Sequence, residues 1–263
     1  MKRTFAAFVV LLSAATTGLS ASNRQPAPPG AFPGAPPQYT VFSNAELMRG
    51  FLALSFGSDL RIGAAPRGIR RFAHPIRAAV ISAGGVDRAA AMRGVLADFS
   101  AQVPALQLSA TDDAAAAADV EVHMIDENDI PAALEEAFGA RVAKTFIRRT
   151  NPQCMTSVKS NPDGSILHSI SFIIVDKGDN VFLDCAYHEL LHAFGLSNHD
   201  QHNPWTTLNQ RRMVGYLTVY DRALLTMLYD QRIAPGMTAQ QARERLPAVI
   251  ESLRLARPPK GSK

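Results

Sequence analysis

Two histidines and a glutamate stand where they could share one metal ion. The run His188-Glu189-Leu190-Leu191-His192-Ala193-Phe194-Gly195 puts imidazoles at i and i+4. On a helix such residues lie one above the other on the same face. Two imidazoles so placed can grip zinc, and Glu189 beside the first faces water bound to that ion. The chemistry implied is metal-assisted hydrolysis, in which the ion acidifies water and the carboxylate takes the proton. A catalytic zinc needs three protein ligands and one open position. A polar, exposed helix face can produce the same letters. Against that, the motif follows a predicted strand, continues to Gly195 and is trailed at once by further histidines.

The elements around the motif read as follows. The motif helix is expected at about Phe182 to Phe194, ended by Gly195 in the left-handed region. The β-branched run Ile166 to Val175 before it reads as a strand, led by an Asn161-Pro162-Asp163-Gly164 turn. Ile76 to Ser82 and Asp119 to Ile125 are further strands; the second alternates Val120, Val122, Met124 against Glu121, His123. Helices are expected from Ala45 to Phe56 with Ser43 or Asn44 as cap, from Asp87 to Gln102, and briefly from Pro131 to Gly139. Two more close the chain, Thr218 to Tyr229 and Thr238 to Leu253. Strands and helices come first and helices last, so the fold class is α+β.

The 263 residues begin Met1-Lys2-Arg3, then run apolar from Phe5 to Leu12 and through small residues to Ala21. This reads as a secretory signal peptide over residues 1–21, cut near Ser20 or Ala21. The apolar run is shorter than the roughly 20 residues that cross a bilayer. Residues 22–38, rich in Pro, Gly and Ala, read as a flexible lead into a domain at 39–263. Loss of Lys2 and Arg3 takes the formal charge from +4 to near +2, too little for a nucleic-acid footprint. Arg61, Arg67, Arg70 and Arg71 cluster, and read as a solvated loop. Cys154 and Cys185 are the only cysteines. In an oxidising compartment they are expected to form a disulfide, worth roughly 3–4 kcal/mol by loop entropy. Free thiols are the alternative.

The motif and its continuation, Leu196-Ser197-Asn198-His199-Asp200, resemble the metzincin zinc peptidases, whose pattern is H-E-x-x-H-x-x-G-x-x-H. The resemblance implies a zincin-like fold: a small mixed sheet, an active-site helix and a mostly helical C-terminal part. In that pattern the Gly turn brings a third histidine to the metal. Here Asn198 holds the expected place and His199 lies one residue further. An amide is a poor zinc ligand beside an imidazole. His199 is therefore the expected third ligand, with Asp200 and Asp221 as alternatives. The resemblance also implies a Met-containing turn at Met213 and an oxyanion-stabilising Tyr216; a core Met and a surface Tyr are the plainer readings. Phe42 to Leu47, the motif helix and the stretch Tyr220 to Met237 further resemble a bacterial secreted family known only as a domain of unknown function, which implies no substrate.

The expected function is a secreted zinc metallopeptidase. Its ligands are His188, His192 and His199, and Glu189 is its general base. The strand at Ile170 to Val175 would pair with an extended peptide substrate. The alternatives are a non-catalytic zinc-binding envelope protein and an amide hydrolase of the cell wall. His74, His123, His168 and His202 read as structural or surface residues. Ser165 and Ser171 have no evident triad partners. No stable membrane insertion is expected, and the oligomeric state is open.

Overall fold

The computed structural model describes residues 23–57, 68–111, 118–150 and 153–255. The expected leader, together with Arg61 and Arg67, lies outside the described residues. The strands are β1 (Arg24–Gln25), β2 (Gln38–Tyr39), β3 (Ile76–Ser82), β4 (Leu108–Thr111), β5 (Val120–Ile125), β6 (Cys154–Ser160) and β7 (Ile166–Ile174). The α-helices are α1 (Asn44–Ser55), α2 (Ala89–Gln102), α3 (Ile130–Phe138), α4 (Ala140–Thr150), α5 (Asp179–Ala193), α6 (Val219–Leu228) and α7 (Ala239–Leu255).

Five strands form one mixed sheet in the order β4-β3-β5-β7-β6. The first four run parallel, and β6 pairs antiparallel with β7. The strand at Ile166–Ile174 thus has neighbours on both sides. This corrects the expectation that the strand at Ile170 to Val175 meets substrate, because Ile170 to Ile173 is already paired with a strand on each side. The outer strand beside the motif helix is β6, which the sequence reading passed over. Its residues, Cys-Met-Thr-Ser-Val-Lys-Ser, carry no apolar alternation.

Side-chain alternation sorts the sheet into two faces. Val120, Val122 and Met124 of β5 and Ile173 of β7 join the main core with α2 and α5. Ile125, Phe172 and Ile174 point to the other face, where Ile130 and Leu134 of α3 and Ala143 of α4 cover them. Gly139, at φ +81°, separates α3 from α4, so the expected single short helix is a hairpin of two. The C-terminal half packs α6 and α7 against α1. A capping box holds the start of α1: Ser43 accepts from the Glu46 amide, and Glu46 accepts from the Ser43 amide at 2.7 Å.

Helix α5 is buried on most sides, from Phe182 and Cys185 through Leu190, Leu191 and Ala193. A helix with no wet stripe belongs in a domain interior. Hydroxyls let it lie close on the sheet. Ser169 donates to the Ala193 carbonyl at 3.0 Å, and Thr156 donates to the Glu189 carbonyl at 3.0 Å. The disulfide Cys154–Cys185, with Cα atoms 5.8 Å apart, ties the start of β6 to the middle of α5.

The described part of the expected flexible lead at 22–38 folds back on the chain. β1 pairs with β2, Ala27, Ala31 and Ala35 pack on the core, and the Pro36 carbonyl accepts from Tyr216. Arg71 is likewise not a solvated loop residue. Its Nη1 donates to the carbonyls of Leu228, Asp230 and Ile233 at 2.8–3.0 Å, clamping the loop after α6. Among the described residues no helix is long and apolar enough to cross a membrane.

Candidate metal centre

The last turns of α5 and the chain just beyond it bring three histidines together. Nε2 of His199 lies 3.0 Å from Nε2 of His188 and 3.0 Å from Nε2 of His192; the latter two are 3.2 Å apart. Nδ1 of His188 faces the Thr207 carbonyl at 3.1 Å, and Nδ1 of His192 faces the Leu196 carbonyl at 2.5 Å. A carbonyl only accepts, so Nδ1 carries the proton in both rings. Their Nε2 atoms are then bare lone pairs aimed at a shared point. Lone pairs do not satisfy one another; a cation between them does.

Burial sets the protonation of the trio. Desolvation, reinforced by His192, holds His188 down at about 3, and desolvation holds His192 down at about 4. His199 is held at about 2 by desolvation and then by His192 and His188. All three are therefore neutral at physiological pH, the state in which imidazole ligates a metal. Nitrogen ligands on a tetrahedral zinc at about 2.0–2.1 Å are roughly 3.3 Å apart. The observed 3.0–3.2 Å is within a small ring movement of that set. The residues fit zinc: three neutral imidazoles in a compact triangle.

The shift from residue 198 to 199 has a visible cause. Gly195, at φ +111°, turns the chain, and a Cβ there would meet the Arg70 carbonyl oxygen at 2.1 Å. The chain then docks on the C-terminal end of α1. Ser197 and Asn198 amides donate to the Leu54 carbonyl at 2.8 and 3.1 Å, and Asn198 Nδ2 donates to the Ala53 carbonyl at 3.0 Å. Asn198 thus faces α1, and the next residue, His199, turns to the other two histidines.

Neither alternative ligand joins the trio; among the described residues only His188, His192 and His199 converge in this way. Asp200 accepts from the His202 amide at 3.1 Å. Asp221 is fully buried, and its oxygens take Thr206 Oγ1 at 2.5 Å, the Thr207 amide at 2.8 Å and Thr218 Oγ1 at 2.8 Å. Burial pushes its carboxyl above the usual range, and these donors oppose that. Met213 is 41% exposed and so does not underlie the site. Tyr216 is buried rather than on the surface, and its hydroxyl donates to the Pro36 carbonyl at 2.7 Å.

Glu189 is 4% exposed. Burial raises its carboxyl to about 8, opposed by the Thr156 hydroxyl and reinforced by Asp184. A cation at the histidines would act the other way and favour the carboxylate. Asp184, one turn before His188, accepts the Val214 and Gly215 amides and holds that loop against α5. Sequence reading missed Thr156, Asp184, Thr206 and Thr207. Only the Thr218-x-x-Asp221 pattern before an apolar run was readable as a helix start.

The other histidines lie elsewhere. His123 and His168 share the Glu121 carboxylate at 2.8 and 3.2 Å on the opposite sheet face, and His74 and His202 are exposed. Ser171 is buried against Thr156 at 2.7 Å, and Ser165 donates to Asp163 in a turn.

The chain belongs to a family whose model matches residues 44–248 and which is described only as a protein of unknown function (DUF2927). No curated protein matches the chain, and no solved structure does.

Proposed function

We propose that this chain is an exported zinc-dependent peptidase of zincin-like architecture. The observation that carries the reading is the convergence of three neutral Nε2 atoms, with the buried Glu189 following His188 in the chain. His188, His192 and His199 would hold the ion. When bound, zinc supplies Lewis acidity, lowering the pKa of water toward about 7 and polarising a scissile carbonyl. Glu189 takes the proton from the attacking water and passes it to the leaving amine. Strand β6 presents the outer ladder of the sheet alongside α5, where an extended peptide can add as a further strand. The disulfide and the leader sequence support export.

A second reading has one observation behind it. Exposures of 9% at His188 and 4% at Glu189 suit a metal site that binds without turnover. The test separates the two. Purified mature protein is assayed for zinc and for cleavage of a peptide library, with cell-wall stem peptides included for the amide-hydrolase alternative. Glu189→Gln is expected to keep zinc and lose hydrolysis, and His199→Ala to lose zinc. Equal peptidase rates for parent and Glu189→Gln end the catalytic assignment; a metal-free parent ends both readings.

A further inference from the structure

We infer that Asp221, twenty-nine residues beyond His192 in the chain, is the remote anchor of the metal centre, orienting and polarising His188 through Thr206 and the peptide that joins Thr207 to Leu208. This rests on the metal-binding reading above and adds to it a positioning residue that binds no metal itself.

The links form one directed chain. Nδ1–H of His188 donates to the Thr207 carbonyl at 3.1 Å. The other end of the same peptide unit, the Leu208 amide, donates to Thr206 Oγ1 at 3.1 Å. That hydroxyl donates in turn to Asp221 Oδ1 at 2.5 Å. With Asp221 as the carboxylate, no step can run backwards. A carbonyl cannot donate, an amide N–H cannot accept, and a carboxylate can only receive. Dipoles aligned head to tail strengthen one another where the surroundings are dry, and Asp221, Thr206 and Leu208 are all fully buried.

The rest of the carboxylate is held by neutral donors, the Thr207 amide and Thr218 Oγ1. A buried negative charge with only neutral donors around it is costly to keep. A dication at the far end of the relay gives that charge a role. Metal-bound histidines elsewhere donate their second N–H directly to a carboxylate, which fixes the ring and raises its basicity. Here one peptide and one hydroxyl are interposed. The plainer role is local: Thr218 caps α6, and Asp221 returns the contact. The two roles differ in what Thr206 does, because Thr206 touches Asp221 without taking part in the α6 cap.

The test uses the mature protein, stripped by chelation, with zinc affinity read by competition against a chromophoric chelator. Thr206→Val removes the hydroxyl at nearly constant volume. It is expected to weaken zinc binding about 10–100-fold, with Thr206→Ser close to the parent. Cobalt substitution gives a second reading: the visible bands shift in the valine variant and return in the serine variant. A purely structural role lowers thermal stability but leaves both signals at the parent's values. Should the valine variant fail to fold, Asp221→Asn carries the same comparison. A folded variant whose zinc affinity stays within about twofold of the parent overturns the relay. A parent that binds no zinc overturns the relay and the metal reading together, so the two failures are distinguishable.

Discussion

Asn198 and Ala53 are joined by a hydrogen bond of 3.0 Å, from the Asn198 side-chain amide to the carbonyl near the end of α1. That bond, with the two backbone bonds to Leu54, decides which neighbour of Asn198 reaches His188 and His192. Asn198→Ala is expected to cost about 1–2 kcal/mol, because a helix-end carbonyl loses its donor. Zinc affinity falls with it as the turn loosens. Moving the histidine into the usual spacing, with Asn198→His and His199→Ala together, should not restore zinc, since position 198 faces α1. Metal analysis of the double variant checks this, and full zinc loading would show that the turn is free to re-register.

Gly195 predicts a packing limit. Its φ of +111° and the 2.1 Å approach of the Arg70 carbonyl leave no room for a methyl group. Gly195→Ala should destabilise the protein by about 2–4 kcal/mol. Calorimetry should then show a melting temperature lower by about 5–15 °C. An unchanged melting temperature would mean that the turn adopts another path.

Removing the disulfide tests how β6 is held to the motif helix. Cys154→Ser with Cys185→Ser opens a loop of 31 residues, with an expected loss of about 3–4 kcal/mol in denaturant unfolding. Zinc affinity should also drop, because Cys185 stands three residues before His188 on α5. Retained stability in the double serine variant would argue that Thr156 and Ser169 suffice to dock the helix.

Acid should unfold the metal-free protein early. The three imidazoles are held at about 2–4 in the fold, below their ordinary 6.5. Their neutral burial is fully compatible with folding above about pH 6.5. Below that the unfolded chain takes up protons that the fold refuses, so their contribution falls toward pH 4. Glu189, raised to about 8, acts in the opposite sense, holding a proton in the fold that the unfolded chain releases above about 4.5. Asp184, raised to about 6, and Asp221, also pushed up by burial, act in the same sense as Glu189. The histidines therefore prevail only below about pH 4.5, where the unfolded carboxyls hold their protons too. Urea midpoints should fall as pH drops from about 4.5 to about 3.5, and a flat profile there would mean that the histidines open to solvent without unfolding. Bound zinc should shift the fall to lower pH, since metal competes with protons for the same nitrogens.

Local pattern carried much of the architecture. The strand Ile76–Ser82 has the expected bounds, and Thr218 caps α6 as its position before an apolar run implies. Helix α5 starts a turn earlier than expected, at Asp179, because Gly178 at φ +86° rather than Phe182 marks its beginning. Strand β4 is four residues long and β6 is polar, so neither has the periodicity that reveals a strand. Helix α4 has a basic, low-hydropathy composition and lay hidden behind Gly139.

The sequence by itself determined the candidate side chains, the one-turn spacing of His188 and His192, and the adjacent Glu189, because those depend only on helical geometry over five residues. It also paired the two cysteines, there being no others. Only the tertiary structure chose His199 over Asp200 and Asp221, made β6 rather than β7 the outer strand, and turned the Tyr216 hydroxyl toward Pro36. Those choices depend on hydrogen bonds between segments distant in the chain: α1 with the turn after α5, and the turn at Thr206 with α6. Such contacts leave no periodic trace in the residues that make them.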